Sequence, residues 1–143
     1  MANFLIQGPV SPDQIASQVK NLGIRKDMGG HSIFLGQVRD DLSDGRRVRA
    51  IEYSAYEGMV SNEAEKIKKI IFNEFSDVLE IVIIHSVGIL KAGEISMFVL
   101  VSAGHRDHAI KACQKLVELI KERLPVWKKE IFDDNTHRWQ ENG

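Results

Sequence analysis

Along this chain the spacing of apolar positions changes several times, and each change marks an element. A short apolar start over residues 3–8 leads into Ser11-Pro12-Asp13-Gln14, which reads as an N-cap, a proline at the first helical position and a capping-box glutamine. That signature predicts a helix running to about Leu22, closed by Gly23. In the segment 31–39 (HSIFLGQVR) apolar residues fall on both alternating faces, which predicts a buried strand. Residues 40–47 are charged and carry the turn pair Asp44-Gly45, so the pattern predicts a long hairpin in which 31–39 pairs with a strand over 48–56.

From Met59 to Phe75 the apolar residues Val60, Ala64, Ile67, Ile71 and Phe75 recur at three- and four-residue steps, the mark of an amphipathic helix. Val78 to His85 and Ile95 to Ala103 are rich in β-branched residues and predict two more strands, with Lys91-Ala92-Gly93-Glu94 as the turn between them. Gly104-His105-Arg106 breaks the second strand, and Asp107 is positioned to cap a third helix. In that helix Ala109, Cys113, Leu116, Val117, Ile120 and Leu124 fall in one arc of roughly 100°. Pro125 ends it, and the remainder begins as an extended segment. This order of elements predicts a single α+β domain over residues 1–143, with a mainly antiparallel sheet and packed helices.

Composition narrows the function classes. A chain of 143 residues that is 43% hydrophobic can bury a core of its own. The net charge of −1 offers no global positive field for a nucleic-acid backbone or an anionic membrane, so any anion site must be local. The opening MANFLIQGPV lacks the basic-then-apolar form of a secretory signal, and no apolar run approaches membrane-spanning length, which predicts a cytoplasmic protein. The single cysteine, Cys113, lies in the apolar arc and reads as a buried small hydrophobe. The five histidines are scattered, and Gly29-Gly30 precedes a strand instead of joining a strand to a helix. No resident metal or cofactor is expected.

Cationic residues at element ends are the candidate chemistry. Lys121 lies about 20° outside the apolar arc of the third helix, at the lip of any pocket that the arc covers. The period-two rule puts Lys128 on the face opposite Trp127 and Lys129 on the same face as it. Both lysines at 121 and 128 fit either a site or a snorkelling cation at a buried edge. His105-Arg106 sits where a strand gives way to a helix, so it fits a phosphate clamp or, equally, a helix cap and a surface pair with Asp107. Arg39, closing the strand 31–39, is either an anion ligand or an ordinary strand-end arginine.

The ordered segments GQVRD (36–40), EYSAYEGM (52–59), HSVGIL (85–90), AGEI (92–95), SAGHRDHA (102–109), IKERLPVWKKE (120–130) and HRW (137–139) resemble the large subunit of molybdopterin synthase. The His-Arg pair and the pattern Lys121, Arg123, Pro125, Trp127, Lys128, Lys129, Glu130 are its most specific pieces. The resemblance implies a hammerhead-like α/β fold and a homodimer inside a heterotetramer. It also implies a small ubiquitin-like carrier subunit ending in a Gly-Gly thiocarboxylate, with cyclic pyranopterin monophosphate as substrate. Lys121 and Lys128 match the family's catalytic lysines; Gln37, Val38, Arg39, His105, Arg106, Lys129 and Glu130 match its substrate-binding positions. Where the family often has His-Arg before Val/Ile-Gly, this chain has His85-Ser86, one cation fewer, and its tail after Trp139 is short. The competing reading is a non-catalytic scaffold that binds a ubiquitin-like carrier or a phosphorylated metabolite.

Overall fold

The computed structural model describes residues 3–140. Its elements are β1 (Leu5–Gln7), α1 (Pro12–Asn21), a 3-10 turn (Leu22–Ile24), β2 (Gly30–Gln37), β3 (Leu42–Ser43), β4 (Arg46–Ala55), α2 (Glu57–Glu74), β5 (Val78–Lys91), β6 (Ile95–Ala103), α3 (Arg106–Arg123), β7 (Val126–Phe132) and β8 (His137–Gln140). The strands form one eight-stranded sheet in the order β2-β6-β5-β4-β7-β8, with β1 beside β5 and β3 beside β4. Every pairing is antiparallel except β1 with β5. This is the mainly antiparallel α+β architecture that the element order predicts.

Local signals account for the helices. Ser11 caps α1 through the full reciprocal capping box, its hydroxyl accepting from Gln14 N–H and the Gln14 side chain accepting from Ser11 N–H. The buried residues of α2 are Val60, Ala64, Ile67 and Ile71, the predicted stripe. Those of α3 are Ala109, Ala112, Cys113, Leu116 and Ile120, with Leu124 buried just beyond its end. One face of the sheet packs on α2 and α3 around Ile67, Ile83, Val99 and Leu116. The other packs on α1, where Ile15 and Leu22 cover Val10, Phe98 and Leu100.

Three expectations are corrected. The strand over 31–39 is not buried: β2 ends the sheet, none of its residues is fully buried, and Ile33 and Leu35 are exposed. The long hairpin of 31–39 with 48–56 does not form: β2 pairs with β6, whereas β4 lies between β5 and β7. Asp44 and Gly45 do turn the chain, with φ of 52° and 75°, but they close only the small β3–β4 hairpin. The apolar β2 gains more by lying against β6 and α3 than a solvent-flanked hairpin would give it. Asp107 is not the cap of α3. His105 is the N-cap residue, and the carboxylate of Asp77 accepts from its N–H at 2.7 Å, while Asp107 pairs with Lys111 at 3.2 Å.

β5 also runs beyond the expected end at His85, to Lys91. Its odd-numbered residues Ile81 and Ile83 face α2 and α3, as does Leu90 further on, so the alternation changes phase in between. Gly88, at φ 98°, sits in that interval and supplies the backbone conformation the change requires.

Candidate functional site

A transverse row of residues crosses five strands beneath the end of α3. Gly36 on β2 stands opposite Met97 on β6, Met97 opposite His85 on β5, and Tyr53 on β4 opposite Lys128 on β7. The rings of Tyr53 and His85 meet edge to face at 5.2 Å. Ile120, Lys121 and Leu124 from the last turn of α3 and its exit cover the row. The result is a cleft in two adjoining parts: an inner space of about 80 Å³ that reaches His85 and Ser96, and an outer one of about 410 Å³ that reaches Val38, Arg39 and Glu130. Gln37, Tyr53, Lys121 and Lys128 line both.

The electrostatics follow from burial and from the crowding of cations. Desolvation lowers the pKa of Lys128 from the ordinary lysine value, and Lys121 and Arg39 push the same way, opposed by Glu130. His85 is 7% exposed, and its pKa falls to about 4, chiefly because burial penalises the imidazolium and further because Lys128 and Lys121 repel it. It is therefore neutral at physiological pH, with Nδ1 donating to the Ser86 carbonyl at 2.8 Å. Burial raises the pKa of the Tyr53 phenol, against a hydrogen bond with Ser96.

Glu130 is buried, and Arg138 meets its carboxylate through two nitrogens at 2.9 and 3.3 Å while also pairing with Asp44 at 2.8 Å. Glu130 thus anchors β7 to β8 next to the outer cleft. Lys129 points to the other side of the sheet, as the period-two rule requires. Its ammonium pairs with Glu52 at 2.9 Å and lies 5.3 Å from the centre of the Trp139 ring. Val38 is buried, and Arg39 is largely exposed with Asp41 at 3.2 Å.

His105 and Arg106 are elsewhere. They open α3, beside Gly29 and Gly104 in an open depression of about 760 Å³. The fifteen residue steps from Arg106 to Lys121 place the two ends of the helix roughly 22 Å apart, at about 1.5 Å per residue. Among the described residues Arg106 has no ion-pair partner, since Asp107 is taken by Lys111 and Asp77 by His105. A Cβ on Gly30 would come within 2.9 Å of the Arg106 Cα, so the glycine lets β2 start hard against this helix end.

The MoaE protein family matches residues 5–123. The chain belongs to that family. It is 38% identical over 116 residues to the molybdopterin synthase catalytic subunit of Dictyostelium discoideum, a match covering 80% of this chain and 73% of that one. Fly relatives are longer, and the chain's match spans 35% of the Drosophila grimshawi catalytic subunit. The crystal structure of molybdopterin synthase from Staphylococcus aureus superposes with a TM-score of 0.84 at 29% identity, covering 96% of each chain. The fold is shared too with a Helicobacter pylori chain solved as a complex of subunits 1 and 2 of molybdopterin-converting factor, with TM-score 0.79, 20% identity, and coverage of 95% of this chain and 88% of that one.

In this MoaE chain the structure brings together Lys121, Lys128, Gln37, Val38, Arg39 and Glu130, and leaves Lys129, His105 and Arg106 outside the cleft. Sequence reasoning missed Tyr53, His85 and Ser96. The period of β4 gave no signal for Tyr53, because the alternation that buries Val48 and Ala50 changes phase before Tyr53. His85 and His31 read alike as strand-end histidines, yet only His85 turns inward. No group of three potential metal-ligating side chains occurs among the described residues, and none of their helices is long and apolar enough to cross a membrane. Cys113 is buried, and that burial raises its thiol pKa, which disfavours the reactive thiolate.

Proposed function

We propose that this chain is the catalytic subunit of a cytoplasmic molybdopterin synthase, a sulfurtransferase that moves sulfur from a thiocarboxylated small carrier subunit onto cyclic pyranopterin monophosphate. The observation that carries this reading is the convergence of Lys121 and Lys128, from a helix end and a separate strand, on one cleft with a neutral histidine at its base. Snorkelling cations at a buried edge would have diverged towards solvent. Membership of the MoaE family and the catalytic-subunit relatives support the same assignment.

The residues divide the work by what they can do. Carbon–sulfur bond formation, followed by hydrolysis of the spent acyl link to the carrier, needs a positioned cation and proton transfers, and Lys128, whose ammonium is destabilised, supplies both. Lys121 adds a second cation at the mouth, in the last turn of α3, where the helix dipole favours it. Gln37 and Arg39, with the backbone of Val38, form the anion-binding wall of the outer cleft. Lys129 and Glu130 serve substrate binding indirectly, through the ion pairs that fix β7 against β4 and β8.

His105 and Arg106 enter the site from a second copy of the chain. β2 is at the end of the sheet, and Ile33 and Leu35 on it are exposed. A two-fold axis near Phe34, pairing β2 antiparallel with its copy, sets Gly30 opposite the partner's Val38. Arg106, packed on Gly30, then arrives beside the other copy's Arg39. A pair of such chains with two carriers makes the heterotetramer, and the Helicobacter complex of two subunits supports a carrier partner.

Mixing the purified chain with a thiocarboxylated carrier and the cyclic pterin should yield the dithiolene, read by fluorescence of its oxidised pterin. Binding of both partners without dithiolene would instead leave a non-catalytic scaffold.

A further inference from the structure

We infer that the inner end of the cleft is a water site, and that His85 Nε2 holds and deprotonates the water that hydrolyses the carrier from the sulfurated substrate; this rests on the sulfurtransferase reading above. Size comes first. The inner space of about 80 Å³ admits a few waters, each needing roughly 10–15 Å³ by this measure, and is too small for a fused pterin, which fits the outer space.

The polarity of the lining is the second argument. His85 is more than nine-tenths buried, and with Nδ1 committed to the Ser86 carbonyl its Nε2 is an acceptor with no protein partner among the described residues. Among the described residues the charged groups that face it are Lys121 and Lys128, both cations, and no carboxylate lines the inner space; the Tyr53 and Ser96 hydroxyls bond to one another. His85 is thus an uncharged acceptor at neutral pH, its depressed pKa leaving Nε2 unprotonated, and a proton taken from water is passed on because the imidazolium is disfavoured there.

The step balances. The water oxygen bonds to the acyl carbon of the carrier's terminal glycine, the acyl–sulfur bond breaks, and its electron pair stays on the sulfur now attached to the pterin. One water proton passes to His85 Nε2 and then to solvent; the other leaves as the carrier's carboxylic acid ionises. Lys128 and Lys121 stabilise the emerging thiolate and carboxylate.

Two variants separate this role from ring packing. Glutamine places its amide oxygen near the position of Nε2, whereas asparagine reaches only as far as Nδ1; both remove the aromatic ring. Full-length wild type, His85→Gln and His85→Asn are mixed with thiocarboxylated carrier and cyclic pterin, and the carrier–pterin adduct is followed by intact mass in single turnover. Both variants should form adduct at the wild-type rate and lose it about 10²-fold more slowly, the scale of a missing proton acceptor, because an amide oxygen can hold the water but cannot take its proton, and their decay should lack the wild type's fall towards pH 4. Decay at the wild-type rate in either variant, or adduct formation slowed as much as decay, overturns the inference. Should either variant fail to fold, the wild type decides: adduct decay should slow as the pH approaches 4 while adduct formation does not, and a flat decay profile overturns the inference. A wild type that forms neither adduct nor dithiolene refutes the sulfurtransferase reading itself, which active wild type with unaffected variants would not.

Discussion

The two ends of α3 both carry cations and do opposite things with them. At its C-terminal end Lys121 meets Lys128 in a cleft walled by Tyr53, Ile120 and Leu124, where burial and mutual repulsion destabilise positive charge on Lys128 and His85. At its N-terminal end His105 and Arg106 sit in the open, on the helix pole that itself favours anions. Charge that is partly desolvated changes protonation state readily and suits chemistry; charge left in water keeps it and suits binding. On the proposed function the helix is a spacer of roughly 22 Å between the reactive centre and the anion clamp.

Removing the reactive end should have the largest effect. Lys121→Ala or Lys128→Ala should lower single-turnover dithiolene formation by about 10²-fold or more, the typical loss with a proton-transfer group, while carrier binding and fold persist. Arginine should rescue poorly at either position, because it keeps the charge and does not deprotonate. Near-normal rates in both alanine variants would erase the contrast between the two ends, and full rescue by arginine would reduce it to electrostatics.

How much of that contrast was legible depends on the range of the interactions involved. The α2 stripe and the α3 arc followed from local period, as did the opposite orientations of Lys128 and Trp127, since a helix or strand fixes directions within a few residues. The choice of β6 as partner for β2 was not local. A charged stretch ending in Asp44-Gly45 favoured the nearer strand, and only the pairing of β2 with β6 and the packing of its inner face on α3 override it. The cleft was half legible for the same reason. Its lysines stood at element ends, but Tyr53 and His85 belong to it through a transverse row of strand pairings that no single segment encodes. The separation of His105 and Arg106 from Lys121 was implicit in the sequence, since the predicted third helix already runs from Asp107 to Leu124 and a helix of that span sets Arg106 and Lys121 roughly 22 Å apart.

The buried end should also govern acid stability. His85 titrates near 4 in the folded protein and near the ordinary 6.5 when unfolded, so above 6.5 both states are neutral and the histidine costs nothing. Between those values the unfolded chain binds the proton that the folded one refuses, and stability falls as the pH is lowered. The full loss, about 3.5 kcal/mol from the 2.5-unit gap at about 1.4 kcal/mol per unit, is reached below pH 4, with about 3 kcal/mol of it lost by pH 4. Denaturant melts of wild type and His85→Gln at pH 7 and pH 4 should show a smaller drop in the variant. Equal drops would place the acid sensitivity outside the cleft and weaken the claim that burial distinguishes the two ends.

The exposed end should show the smallest effect and the most specific one. Arg106→Ala should weaken binding of the cyclic phosphate by about 1.5 to 3 kcal/mol, the value of a charged hydrogen bond, with carrier affinity nearly unchanged. Weaker carrier binding with unaltered pterin binding would assign the clamp to the other partner. Because one chain holds Arg106 roughly 22 Å from its own Lys121, the decisive measurement mixes two defective proteins. In a heterodimer of Arg106→Ala with Lys128→Ala, one cleft carries both defects, whereas the other joins an intact Lys128 to an intact Arg106 from the opposite chain. Random exchange makes half of the dimers mixed, so the mixture should recover about a quarter of wild-type sites, provided the two-fold arrangement through β2 is right. If each chain served its own cleft, every site would keep one defect and mixing would restore nothing.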